Sequence, residues 1–148
     1  MAIEIERKFL VRGEFKNHSV KKLEILQGYL SVDPARIIRL RITNKKAVLS
    51  VKAPEGKSGF SRHEWEFEIP YKEASEILKV SLPEIILKTR YLVPFGDHTF
   101  EVDVFHGKNE GLVIAELELK SEEEFFEKPE WLGEEVTGKP EYYNSNLI

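Results

Sequence analysis

Apolar and polar side chains alternate with a period of two along most of this chain. The alternation runs through residues 2–11, 23–32, 36–43, 46–53, 61–69, 84–95, 98–106 and 111–119, each rich in Ile, Leu, Val, Phe or Tyr. Period two marks a β-strand whose two faces meet different surroundings. The junctions carry turn chemistry. Asn44 before two lysines predicts a tight hairpin, Gly96-Asp97 a second turn, residues 107–111 a third, and residues 54–59 a loop with two glycines. Helical spacing is rare. Ala74, Ile77 and Leu78 after Pro70 predict a short helix over 71–79. Ser121 with Glu124 three residues on is a capping box, predicting a helix that ends at Pro129. A last helix is predicted from about Tyr142 to the end. The expectation is a mainly β fold: one domain over 1–148, built as a closed eight-stranded antiparallel barrel with a few peripheral helices.

Composition narrows the functional classes. Apolar residues make up 41% and charged residues 32%, which fits a globular chain rather than a disordered one. The net charge of −4 lacks the basic excess of a nucleic-acid binder. With no cysteine, a metal would be held by oxygen or by His nitrogen. The N-terminal stretch MAIEIERKFLV is broken by charge and does not read as a signal peptide. No apolar run approaches the roughly 20 residues of a membrane-spanning helix. A cytoplasmic protein without membrane or nucleic-acid partners is expected.

The polar faces are unusually uniform in kind. Glu4, Glu6 and Lys8 share one face of the first strand, and Arg39 and Arg41 share one face of the third. Lys52 follows on the next strand, then Arg62, Glu64, Glu66 and Glu68, then Lys88 and Arg90. Glu101 pairs with Asp103, and Glu116 with Glu118. Same-face neighbours lie roughly 6.5–7 Å apart, so these like charges repel. A solvent face alone favours mixed signs. Acidic stripes suit hard cations such as Mg²⁺ or Mn²⁺, and basic stripes suit phosphate oxygens. Taken singly, an E-x-E or R-x-R pair is an ordinary solvated face. Facing outward, the whole set makes a salt-bridged skin; facing inward, it makes a polar tunnel whose apolar outside needs covering. Its recurrence over seven strands favours the inward arrangement.

The same residues, in order, resemble the CYTH or triphosphate tunnel metalloenzyme superfamily. The motifs are Glu4-Ile5-Glu6-Arg7-Lys8, Gln27-Gly28-Tyr29-Leu30, Arg39-Leu40-Arg41, Lys52, Ser61-Arg62 leading to Glu64 and Glu66, Lys88-Thr89-Arg90-Tyr91, Glu101-Val102-Asp103 and Glu116-Leu117-Glu118. The resemblance implies an eight-stranded tunnel that cleaves or cyclises triphosphates with one or two Mg²⁺ or Mn²⁺ ions. Glu4, Glu6, Glu116 and Glu118 would hold metal, and Glu64, Glu66 and Asp103 would assist metal or water. Lys8, Arg39, Arg41, Lys52, Lys88 and Arg90 would hold phosphates. Lys8, Lys88 and Tyr29 are catalytic candidates, the last two as a dyad. The short stretch at residues 12–22 favours the short bacterial inorganic triphosphatase type over the adenylyl cyclase alternative; thiamine triphosphatase is a further alternative, and the full acidic set argues against a nucleotide- or polyphosphate-binding module without turnover. Tyr142-Tyr143-Asn144 departs from the basic residue common in similar short members, which argues against a phosphate contact from the C-terminal element. The expected partner is a small-molecule triphosphate, with a second copy of the chain, as a homodimer, the other candidate.

Overall fold

The computed structural model describes residues 1–56 and 61–148; the part of the predicted loop over 57–59 lies outside them. Eight antiparallel strands follow the predicted pattern closely: β1 Ala2–Val11, β2 Lys21–Asp33, β3 Arg36–Thr43, β4 Lys46–Pro54, β5 Ser61–Ile69, β6 Ile86–Phe95, β7 His98–Phe105 and β8 Val113–Leu119. Their order around the sheet is β5-β4-β3-β2-β6-β7-β8-β1, and pairing of β1 with β5 closes the barrel. Asn44 and Lys45 both take positive φ, at 48° and 63°, giving the two-residue hairpin between β3 and β4.

β1 serves both edges of the closure. Its first residues pair with β5, Ala2 opposite Glu64 through Ile5 opposite Ser61. Its far edge pairs with β8, Glu6 opposite Glu118 and Lys8 opposite Glu116. Where β5 ends, a ninth strand that the alternation did not predict, β9 (Leu132–Glu135), takes over beside Phe9 and Val11. Gly133 sits there because a Cβ would come within 2.8 Å of the Leu10 carbonyl oxygen.

The apolar outer faces are covered in two places. Helix α1 (Tyr71–Lys79) lays Ala74, Ile77 and Leu78 on Leu40, Ile42, Ala47 and Ile69. It comes close enough to β2 that a side chain at Gly28 would meet Leu78 at 2.9 Å. The second cover packs Phe15, Phe126, Trp131 and Leu132 on Phe9, Phe100, Val102 and Leu117. This segment departs from the predicted helix. Residues 121–129 form none: after one turn, Glu124 N–H donating to the Ser121 carbonyl, the chain runs irregularly. Glu124 accepts from the Lys120 N–H, as a capping residue would, but continuing to wind would carry Phe126 away from Phe9 and Phe100. The predicted C-terminal helix is likewise replaced by two short 3-10 turns, Pro140–Tyr142 and Asn144–Asn146. Among the described residues, no helix is long and apolar enough to cross a membrane.

Candidate active site

The charged faces point inward. A cavity of about 680 Å³ runs through the barrel, and Glu4, Glu6, Lys8, Arg39, Arg41 and Lys52 line it. So do Glu64, Glu66, Arg90, Glu116 and Glu118. The lining leans basic on β3 and β4, through Arg39, Arg41 and Lys52, with Arg62 on β5, and acidic on β1, β7 and β8, through Glu4, Glu6, Glu101, Glu116 and Glu118; Glu64 and Glu66 on β5 and Lys8 on β1 mix the signs where these walls meet. At one end the interior is instead apolar: Tyr29, Ile37, Ile86, Phe105 and Ile114 pack together there, with Tyr142, Leu147 and Ile148 against them.

Where the walls meet, opposite charges interlock. Lys52 Nζ lies 3.2 Å from Glu4 Oε1 and 3.1 Å from Glu64 Oε2, and Arg62 Nη2 donates to Glu4 at 2.9 Å. Burial alone would raise the Glu4 pKa, but Lys52 and Arg62 hold it at about 2. Lys52 is itself pushed down, by burial first and then by Arg39 and Arg62, against the pull of Glu4 and Glu6. Glu64 moves the other way, raised by burial and by Glu4 despite Lys52.

The acidic wall contains a tightly coupled carboxyl pair. Burial, and then the charges of Glu116 and Glu4, push Glu6 well above the usual carboxylate range. Glu116 is held well below that range; burial opposes this, but Lys8 and the hydrogen bond from Glu6 outweigh it. The two carboxyls, on adjacent strands, are thus driven in opposite directions. No three His, Asp or Glu side chains among the described residues already converge as a ligand set. Carboxylates crowded enough to raise one another are nonetheless a site where a divalent cation has charge to neutralise, and oxygen donors fit hard ions.

Lys88 and Asp103 stand behind the lining rather than in it, each 1% exposed. Lys88 Nζ is 2.7 Å from Asp103 and donates to Asn144 Oδ1 at 3.0 Å, and Asn144 does line the cavity. Burial brings Lys88 down to about 8 despite Asp103. Both Asp103 oxygens also accept from Arg90, whose Nη2 donates to Glu116 at 3.1 Å as well. Asp103, expected to assist metal or water, has its oxygens serving two cations here, Arg90 and Lys88. Tyr29 sits opposite Arg39 in the β2–β3 pairing, and the partners of Lys88 do not include it; among the described residues no hydrogen bond joins the two members of the expected dyad.

Sequence reasoning left Arg62 and Glu101 out of the site, although each shares a face with residues it included. It also set aside the C-terminal segment, yet Thr137, Tyr143 and Asn144 line the cavity, and the Tyr142 carbonyl accepts from Lys8 at 3.5 Å. Those residues have no strand periodicity, so no pattern placed them.

Barrel and lining together define a β-tunnel protein with a charge-sorted interior. The CYTH domain profile matches residues 2–146, and the chain belongs to that family. It is 47% identical over 149 residues to an inorganic triphosphatase of Acetivibrio thermocellus, covering all of this chain and 94% of that one. It is 34% identical over 148 residues to an inorganic triphosphatase of Nitrosomonas europaea, covering 97% and 95%. The crystal structure of the inorganic triphosphatase NE1496 superposes with a TM-score of 0.69 at 32% identity, over 97% of this chain and 96% of that one.

Proposed function

We propose that the protein is a metal-dependent inorganic triphosphatase, which hydrolyses tripolyphosphate to pyrophosphate and orthophosphate inside the barrel. One observation carries this: a basic wall and an acidic wall face each other across one cavity. A polyphosphate alone needs only the first wall. The second gives a place for cations that accompany the anion.

Arg39, Arg41, Lys52 and Arg62 neutralise the phosphate oxygens, the arginines by paired N–H donors. Arg90, braced by Asp103, presents charge from the opposite side. Glu4, Glu6, Glu116 and Glu118 are the residues that would hold Mg²⁺ or Mn²⁺. When bound, such an ion supplies Lewis-acid stabilisation of phosphoryl oxygens. Glu64, with its raised pKa, is suited to take the proton of the attacking water, and Glu66 stands beside it on β5. Lys8 adds positive charge from β1, and Lys88, behind the lining, adds its charge through Asn144, to which it donates. Most of the rate acceleration then comes from preorganised charge and in-line placement.

The reading is tested with tripolyphosphate, ATP and thiamine triphosphate, each with Mg²⁺ and Mn²⁺, and every product identified. Orthophosphate and pyrophosphate from tripolyphosphate, at the highest kcat/KM of the set, are expected. Cyclic AMP from ATP, or binding of all three without turnover, would refute it.

A further inference from the structure

Three buried side-chain atoms among the described residues have no hydrogen-bond partner: Gln27 Nε2, Gln27 Oε1 and Arg39 Nε. Gln27 is 0% exposed. Leaving such an amide unpaired costs about 1–3 kcal/mol, so its retention in a barrel interior calls for a reason. The register supplies one. On β2, Gln27 and Tyr29 point to the same, inner face. Tyr29 lies directly opposite Arg39 on β3, and Gln27 lies opposite Arg41, which makes Gln27 the diagonal neighbour of Arg39. Diagonal neighbours have Cα atoms about 7–8 Å apart, within reach of two long side chains or of two side chains and one water. The orphans are also chemically complementary, because Gln27 Oε1 only accepts and Arg39 Nε only donates. Arg39 is the direct cross-strand partner of Tyr29, and its charge lowers the Tyr29 pKa against the rise that burial causes.

We infer that Gln27 is a positioning residue for the triphosphate site: through one buried water, its carboxamide oxygen fixes Arg39 Nε–H, so that the guanidinium plane is set before substrate arrives. A polar cavity lined by two or more unpaired groups is where a buried water belongs. Tyr29 and Gln27 then clamp the guanidinium from neighbouring positions of one strand. The remaining N–H donors are left for phosphate oxygens. Gln27 does not line the cavity, so it acts on the substrate only through Arg39.

This deepens the proposed function and rests on it for its kinetic readout. Gln27→Met keeps the volume and removes both orphan polar atoms. Its melting temperature is expected to match or exceed the wild type, while KM for tripolyphosphate rises about tenfold, the scale of one hydrogen bond to a charged group. Arg39→Lys keeps the positive charge and deletes Nε. In that background, adding Gln27→Met should change KM less than twofold. Equal losses in both backgrounds, or a Gln27→Met enzyme with wild-type KM, would overturn the inference. Should Gln27→Met not fold, Gln27→Leu gives the same test, and its effect on KM must also vanish in the Arg39→Lys background. A second readout needs no turnover. The Arg39 Nε–H resonance in ¹⁵N NMR should be protected from solvent exchange in the wild type and exchange at least tenfold faster in Gln27→Met; equal exchange contradicts the inference. A wild type inert towards tripolyphosphate would sink the triphosphatase reading and leave the NMR test standing.

Discussion

Arg90 lies fork-on to Asp103: its Nε is 2.7 Å from Oδ1 and its Nη2 is 2.9 Å from Oδ2, with both residues buried. The same carboxylate is the ion-pair partner of Lys88. One buried anion therefore holds two cations whose charge faces the acidic wall. Asp103→Asn keeps the shape and removes the charge, taking the ion-pair partner from Lys88 and leaving Arg90 with Glu101 and Glu116 alone. Breaking a buried pair in this way costs about 3–5 kcal/mol. A calorimetric melt should show that loss, and kcat/KM should fall by about 10²-fold as Arg90 loses its orientation. An Asp103→Asn protein with the wild-type melting temperature would show that the clamp is not structural.

The raised pKa of Glu6 makes a signed prediction. The folded-state pKa of Glu6 lies well above its usual value, so the folded protein binds more protons than the unfolded chain in the interval between. The stability contributed by Glu6 is therefore present at low pH and is lost as pH rises through the folded pKa. Glu6→Gln removes this dependence. Without added metal, its melting temperature should exceed the wild type by a margin that grows with pH above about 4.5. Mg²⁺ or Mn²⁺ should reverse the ranking by stabilising only the wild type. Parallel pH curves for the two proteins would contradict the account.

Lys88 predicts a basic limb. Its folded pKa of about 8 is below the ordinary 10.5, so the unfolded chain holds the extra proton between those values. Its share of stability accordingly rises with pH over that window. Its use to substrate runs the other way, because the neutral amine cannot pair with phosphate. KM for tripolyphosphate should climb above pH 8, approaching tenfold per pH unit. Lys88→Arg, which stays charged, should flatten that climb even where its kcat is low. A KM that stays constant up to about pH 10 would remove Lys88 from the phosphate site.

Phe126 tests the cover of the barrel. It packs edge-on against Phe9 at 5.8 Å and Phe100 at 6.3 Å, and Arg7 lies over its ring at 5.1 Å. Phe126→Ala should cost about 3–5 kcal/mol in chemical denaturation. The tunnel wall lies on the other side of the sheet, so kcat on the folded fraction should stay within about twofold of the wild type. A loss under about 1 kcal/mol would mean that this segment does not seal the outer face.

The eight strands and the direction of their charged faces were legible because period two is enforced residue by residue when one face is apolar and the other lines a cavity. Arg39, Lys52 and Glu116 sit where that alternation puts them. The misplaced helices show the limit. Ser121 and Glu124 supply the local chemistry of a helix start, but the long-range pull of Phe126 and Trp131 into the outer core decides the segment. Asn144 and Thr137 enter the cavity from irregular chain, and β9 is four residues long beside a strand that already has two partners. None of these leaves a periodic trace. The pairing of Asp103 with Lys88 and Arg90 depends on register across β6 and β7, which the alternation of one strand does not specify.

One polyphosphate chain lying between the basic and acidic walls of the barrel is what every proposed role requires. A crystal structure with a non-hydrolysable imido analogue of tripolyphosphate tests it most directly. The account predicts the analogue inside the cavity, with phosphate oxygens within hydrogen-bond distance of Arg39, Arg41, Lys52 and Arg62. An analogue bound only on the outside of the barrel, with those four side chains still paired among themselves and their carboxylates, would contradict it.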